Sequence, residues 1–170
     1  SRYPAAAQRG LKIFVGSGRC FFCHTGPAFT NGEFADIGRP FFSPDGVDPG
    51  RWGGLQHLFA SAYNRLGAHS DAPPDDARAI ATRHVVQEPR HYGEFKVPGL
   101  RGLLATAPYF HDGSAATLGD VVRHYSELDE SRLHADGVRL LRALRLSASQ
   151  AADLTEFLKS LSRPAAGRQP

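Results

Sequence analysis

The chain has 170 residues, of which 41% are apolar and 22% charged, values that exclude a disordered chain and a coiled coil. Its length allows one domain, or two very small ones, with a core that buries roughly 70% of the unfolded surface. Twenty Lys and Arg against 17 Asp and Glu leave +3, too weak a charge to indicate nucleic acid, and no apolar run reaches the ~18 residues of a membrane span.

The first element is a helix over Ala5–Val15, with Leu11, Phe14 and Val15 on one face and Gly16 and Gly18 stopping it. Cys20-Phe21-Phe22-Cys23-His24 follows. Residues 25–49 are rich in Gly, Pro, Asn and Asp and read as irregular loop. A second helix is expected over Gly53–Tyr63, where Leu55, Leu58, Phe59 and Ala62 share a face, and the single tryptophan, Trp52, reads as packing, with a place on an electron path as the other reading. Residues 69–76 read as a surface loop, and 90–104 as extended and then turned. Thr117 and Asp120 form a capping box ahead of Leu118, Val121, Val122 and Tyr125. A helix is expected over Ser131–Leu144, weakened at Gly137, with Arg132, Arg139, Arg142 and Arg145 making a positive face. Ser147 and Gln150 form a second capping box before Leu154, Phe157, Leu158 and Leu161. Residues 164–170 read as a polar, disordered tail. No alternating strand pattern of useful length and no internal repeat is present. The expectation is a mainly α domain over residues 1–163 with long loops.

Eighteen glycines and 12 prolines exceed the roughly 12% of an ordinary chain, so the fold is expected to need something besides its own side chains to organise it. Two cysteines cannot supply a disulfide framework. With no methionine in the chain, Ser1 reads as a processed or trimmed start, and no signal peptide is visible near it.

Cys20-x-x-Cys23-His24 is the attachment pattern of a c-type haem. Two thiols at this spacing reach the two vinyl groups on one porphyrin edge, and His24 then lies under the iron and can bind it through an imidazole nitrogen. Such a covalently held cofactor becomes part of the core. A thioredoxin-like dithiol would need a βαβ setting, which is absent, and a zinc site would need a fourth ligand. Covalent haem attachment takes place outside the bacterial cytoplasm, so the expected location is periplasmic.

Methionine cannot bind the far side of the iron, since the chain has none. A histidine, a tyrosine, a lysine, water or an empty site remain. At ~100° per residue, Val121, Val122 and Tyr125 fall within roughly 60° of Leu118, which aims Tyr125 inward, with His124 towards the edge of the stripe. An ordinary core tyrosine fits the same pattern.

Cys20 to Phe29, read together with Phe95 to Tyr125 (Phe-Lys-Val-Pro-Gly-Leu-Arg-Gly, Thr-Ala-Pro-Tyr-Phe-His-Asp-Gly and Thr-Leu-Gly-Asp-Val-Val-Arg-His-Tyr), resembles the C-terminal haem domain of the bacterial di-haem cytochrome c peroxidase family, on its MauG-like branch. The resemblance covers roughly Gln8 to Leu161. It implies a cytochrome c-like fold with one covalent haem c held by Cys20, Cys23 and His24. It places Tyr125 where the peroxidase branch has a methionine ligand and the MauG branch a tyrosine. A tyrosinate there would stabilise ferric and higher oxidation states. It also implies Arg101 near a haem propionate, His111 close to the haem, and a calcium ion on the backbone carbonyls of Thr106 and Pro108.

Members of that family carry two such motifs in a chain about twice as long, and the other domain holds the peroxide-reactive haem. The function implied is relay or storage of single oxidising equivalents, with peroxide-dependent oxidation once a second haem domain is present. The chain is then a fragment, one subunit of a pair, or a single-haem protein. The other readings are a stand-alone electron carrier and a haem-based small-ligand sensor. The partner implied is a redox protein or a second haem domain.

Overall fold

The structure is a computed structural model, and it describes residues 3–39, 42–43, 46–73, 75–137 and 139–162. The expected tail at 164–170 lies outside the described residues. Among the described residues five α-helices carry the fold: α1 (Ala5–Val15), α2 (Arg51–Ala60), α3 (Ala77–Arg83), α4 (Leu118–Ser126) and α5 (Ala148–Ser160). The strands are two residues long, in keeping with a sequence that shows no alternation. The chain forms two compact units, one of residues 1–35, 96–131 and 139–170, the other of 36–95 and 132–138.

The first unit is built on α1, α4 and α5. Its core is Phe14 of α1, Leu118 and Val122 of α4, Leu154, Phe157 and Leu158 of α5, and Leu161 just beyond. Phe14 and Phe157 meet at 4.9 Å between ring centroids. The face that α1 buries differs from the expected one. Ala7, Gly10 and Phe14 are buried, while Leu11 and Val15 are exposed. The reason is a close crossing with α5: a Cβ on Gly10 would lie 2.0 Å from the Asp153 carbonyl oxygen and 2.7 Å from Phe157 Cβ. Small residues let the two backbones approach, and the larger ones turn out to solvent. Beside the crossing, Arg9 clamps Asp153 with two bonds of 2.7 Å, Nε to Oδ2 and Nη2 to Oδ1.

Both expected capping boxes form. Thr117 Oγ1 accepts from Asp120 N–H at 3.1 Å, and Asp120 Oδ2 accepts from Thr117 N–H at 2.9 Å. Ser147 and Gln150 do the same for α5, at 3.3 and 2.9 Å. Each satisfies two amide donors that a helix start otherwise leaves unpaired.

Among the described residues of 131–144 no α-helix forms, contrary to the expectation. Residues 139–147 are irregular, and their amides serve the end of α4 instead. Leu144 N–H donates to Tyr125 O at 3.0 Å, Arg145 N–H to Ser126 O at 2.9 Å, and Leu146 N–H to Ser126 Oγ at 2.9 Å. Glu130 accepts from Ala143 N–H and from Arg142. Three of these four amides therefore satisfy acceptors at the last turn of α4, a tertiary use that outweighs local helix propensity. The positive helical face does not exist, and Arg142 is paired.

In the second unit α2 starts two residues before the expected Gly53 and ends three before Tyr63. Asp48 Oδ1 accepts from Gly50 N–H at 2.8 Å, and Arg51 N–H donates to Glu94 O at 2.8 Å, which sets the start. Gly50 has φ +57, and a Cβ there would meet Glu94 O at 2.5 Å, so this turn requires glycine. Asn64 Nδ2 donates to Leu58 O at 2.6 Å and closes the far end. Trp52 is half-buried, with its carbonyl bonded to Gln87 Nε2. Helix α3 was not read in the sequence. Its signal is Asp76, whose side chain accepts from Ala79 N–H at 2.9 Å ahead of an alanine-rich turn. The strands Phe42–Ser43 and Gly46–Val47 pair antiparallel, with Phe42 opposite Val47.

Candidate haem site

The candidate residues that the structure gathers belong to the first unit. Beyond α1, Gly18 and left-handed Arg19 (φ +53) lead into a 3₁₀ turn over Cys20–Phe22. His24 N–H donates to Cys20 O at 2.9 Å, so the motif closes as one helical turn. Both thiols are free and half-buried. Burial pushes the Cys20 thiol up to about 11 and raises Cys23 as well. A reactive dithiol needs the opposite shift, so the chemistry of these thiols disfavours a thioredoxin-like role. Among the described residues no group of three His, Cys, Asp or Glu side chains is placed to hold a metal ion.

His24 is half-buried, and its Nδ1 lies 2.9 Å from the Phe29 carbonyl. A carbonyl only accepts, so the ring proton sits on Nδ1 and Nε2 carries the lone pair. Burial lowers the His24 pKa, outweighing the carbonyls of Phe29 and Pro98, and favours the neutral imidazole that a metal binds. These residues fit a haem iron: a neutral imidazole of set tautomer beside two unbridged thiols at the attachment spacing.

The acceptor is itself held in place. Phe29 has φ +55, an uncommon backbone for a bulky residue. Its ring packs against Phe14 at 5.9 Å and Phe157 at 6.3 Å, which ties the loop to the α1–α5 crossing. Thr30 Oγ1 donates to Val97 O at 2.6 Å, and Asn31 N–H to Cys23 O at 2.8 Å. Nothing in the sequence singles out Phe29 as an acceptor, because every residue has a carbonyl. Arg101 lies over the Phe29 ring at 4.7 Å and donates from Nε to Pro27 O at 2.9 Å. It thus braces the loop that orients His24.

Tyr125 is half-buried near the end of α4, next to the buried line Leu118, Val122 and Ser126. Its carbonyl receives Leu144 N–H. His124 is half-buried too, and its ring meets Phe110 edge-on at 5.1 Å. Exposure alone does not separate the two. His111 is exposed in a turn fixed by Asp112 Oδ1, which accepts from Ser114 Oγ at 2.6 Å and from its N–H at 3.1 Å. Thr106 and Pro108 are exposed beside the turn over Leu103–Ala105, with Thr106 Oγ1 bonded to Leu103 O at 3.1 Å.

No protein-family model matches the chain. Among curated proteins, "Cytochrome-c peroxidase IdrP1" of Pseudomonas sp. (strain SCT) is 31% identical over 160 residues, covering 91% of this chain and 39% of that protein. "Methylamine utilization protein MauG" of Methylorubrum extorquens is 31% identical over 167 residues, covering 98% of this chain and 37% of that one. A solved MauG-like protein associated with microbial copper homeostasis superposes with a TM-score of 0.63 at 25% identity, over 95% of this chain and 45% of that one. The chain thus spans about two fifths of the length of the curated relatives it matches. Mainly helical, with little sheet and with a cytochrome c attachment motif, the chain belongs with the di-haem cytochrome c peroxidase and MauG-like proteins.

Proposed function

We propose that the chain is a c-type haem redox module that relays or stores single oxidising equivalents, equivalent to the C-terminal haem domain of its relatives. The observation that carries this reading is the His24 Nδ1 contact with the Phe29 carbonyl, 2.9 Å long, which leaves Nε2 as the ligating nitrogen. When bound, the haem supplies one-electron chemistry at its iron.

The chain's own residues hold and tune that group. Cys20 and Cys23 would attach the porphyrin edge, and His24 would bind the iron. Donation of the Nδ1 proton to Phe29 O makes Nε2 a better electron donor. Tyr125 would be the second iron ligand and, as a phenolate, would offset positive charge on the metal. Arg101 would offer its charge to a haem propionate, and His111 would contribute near the bound haem. A calcium ion on the Thr106 and Pro108 carbonyls suits the preference of a hard cation for oxygen. Among the described residues no helix is long and apolar enough to cross a membrane. The proposed location is the periplasm, and the proposed partner is a second haem domain or subunit where peroxide reacts.

Absorption and electron paramagnetic resonance spectra of the haem-loaded chain test this reading. The ferric protein is expected to be six-coordinate and low-spin, and to ignore peroxide on its own. Tyr125→Phe is expected to give a five-coordinate, high-spin haem that stays attached. An unchanged Tyr125→Phe spectrum removes Tyr125 as ligand. A wild-type haem that reacts at once with peroxide replaces the relay role with a peroxidase one.

A further inference from the structure

The second unit contains an open pocket of about 380 Å³ lined by Arg51, His84, Glu88, Arg90 and His91 with apolar neighbours. His91 is only 2% exposed, and its Nε2 is buried with no hydrogen-bond partner. Its other nitrogen is accounted for, since Nδ1 accepts from Glu88 N–H at 3.1 Å. Burial and the nearby Arg51 charge lower the His91 pKa, so the ring is neutral and its proton sits on Nε2. A buried N–H donor without an acceptor is costly, and it marks a place where an acceptor belongs.

The nearest acceptor is the Glu88 carboxylate. Its Oε2 lies 3.6 Å from His91 Nε2, beyond hydrogen-bond reach, while the same oxygen pairs with Arg90 Nε. Glu88 is 42% exposed, so a dissolved anion can reach and replace its carboxylate. Arg51 is held differently: its Nη1 is anchored by the buried Glu94 at 3.0 Å, which fixes its positive charge at the pocket wall. With Glu88 withdrawn, the lining offers donors from His91 and Arg90, beside the Arg51 charge, and no carboxylate acceptor. That set matches an oxyanion. We propose that this pocket binds a small oxyanion, carboxylate or inorganic, which displaces the Glu88 carboxylate from between Arg90 and His91.

The test is calorimetric titration of the haem-loaded full chain with inorganic phosphate and, separately, with acetate, using chloride as control. Saturable binding of either oxyanion and none of chloride is expected, and which one binds tells inorganic from carboxylate ligands. Glu88→Gln removes the competing charge and is expected to tighten binding about tenfold. His91→Gln is expected to weaken it. Because His91 is buried and that variant can fail to fold, the wild-type His91 ring N–H is also followed by NMR in the reduced protein, where the oxyanion is expected to shift it downfield. No saturable binding overturns the proposal, as do equal affinity in Glu88→Gln and a chloride-induced shift of the same size.

Discussion

Gly10→Ala adds one carbon where α1 crosses α5. At its ideal position that carbon is 2.0 Å from the Asp153 carbonyl oxygen, 2.7 Å from the Asp153 carbonyl carbon and 2.7 Å from Phe157 Cβ. Two of the three are backbone atoms of α5, so no side-chain rotation relieves the clash, and the helices must separate by about 1 Å or more. Overpacking of this kind costs about 1–3 kcal/mol, and a backbone obstacle belongs at the upper end. Replacing a helical glycine by alanine returns about 1 kcal/mol, which leaves a net loss of about 2 kcal/mol. For a chain of this size that lowers the melting temperature by about 4–8 °C. Gly54→Ala in α2 is the control. It is exposed, with nothing within 4 Å of the added carbon, so it is expected to stabilise by about 0.5–1 kcal/mol. Thermal unfolding of the haem-loaded protein, followed by far-UV circular dichroism, reads both. Opposite signs for the same substitution support the close crossing, whereas a neutral or stabilising Gly10→Ala refutes it.

Asp153 is held below the usual carboxylate range by hydrogen bonding to Arg9 and by its charge. The stabilisation is therefore fully present above the ordinary Asp value, about 4, and is lost as pH falls through the lower folded value. Asp153→Asn should melt below wild type at neutral pH, and the gap should close on acidification; a gap independent of pH contradicts the pairing. Ser126→Ala deprives Leu146 N–H of its acceptor at a buried position, for an expected loss of about 1–2 kcal/mol in urea unfolding. A change within experimental scatter would mean that the 143–146 segment does not brace α4 through this bond.

How much of this was legible beforehand varies by element. The capping boxes at Thr117–Asp120 and Ser147–Gln150 are local: each cap bonds an amide three residues away, so pattern and structure agree. The α1 face was misjudged because periodicity weighs the size of side chains, whereas Gly10 is buried for having none. The segment over 131–144 carries helix-forming residues, yet the amides at its end are taken by Tyr125, Ser126 and Glu130. Its absence follows from partners up to 20 residues away, which no window over the segment contains.

The attachment pattern at Cys20, Cys23 and His24 was set by sequence alone, because the spacing of thiols and imidazole follows from bonds along one helical turn. Which His24 nitrogen is engaged by the fold, and which keeps its lone pair, was decided only by tertiary structure. That choice depends on the Phe29 carbonyl, and Phe29 is turned into place by a left-handed backbone and by packing on Phe14 and Phe157 from opposite ends of the chain. The His91 pocket is of the same kind. A buried donor facing an imperfect acceptor exists only once the chain has brought residues 51 and 84–94 together.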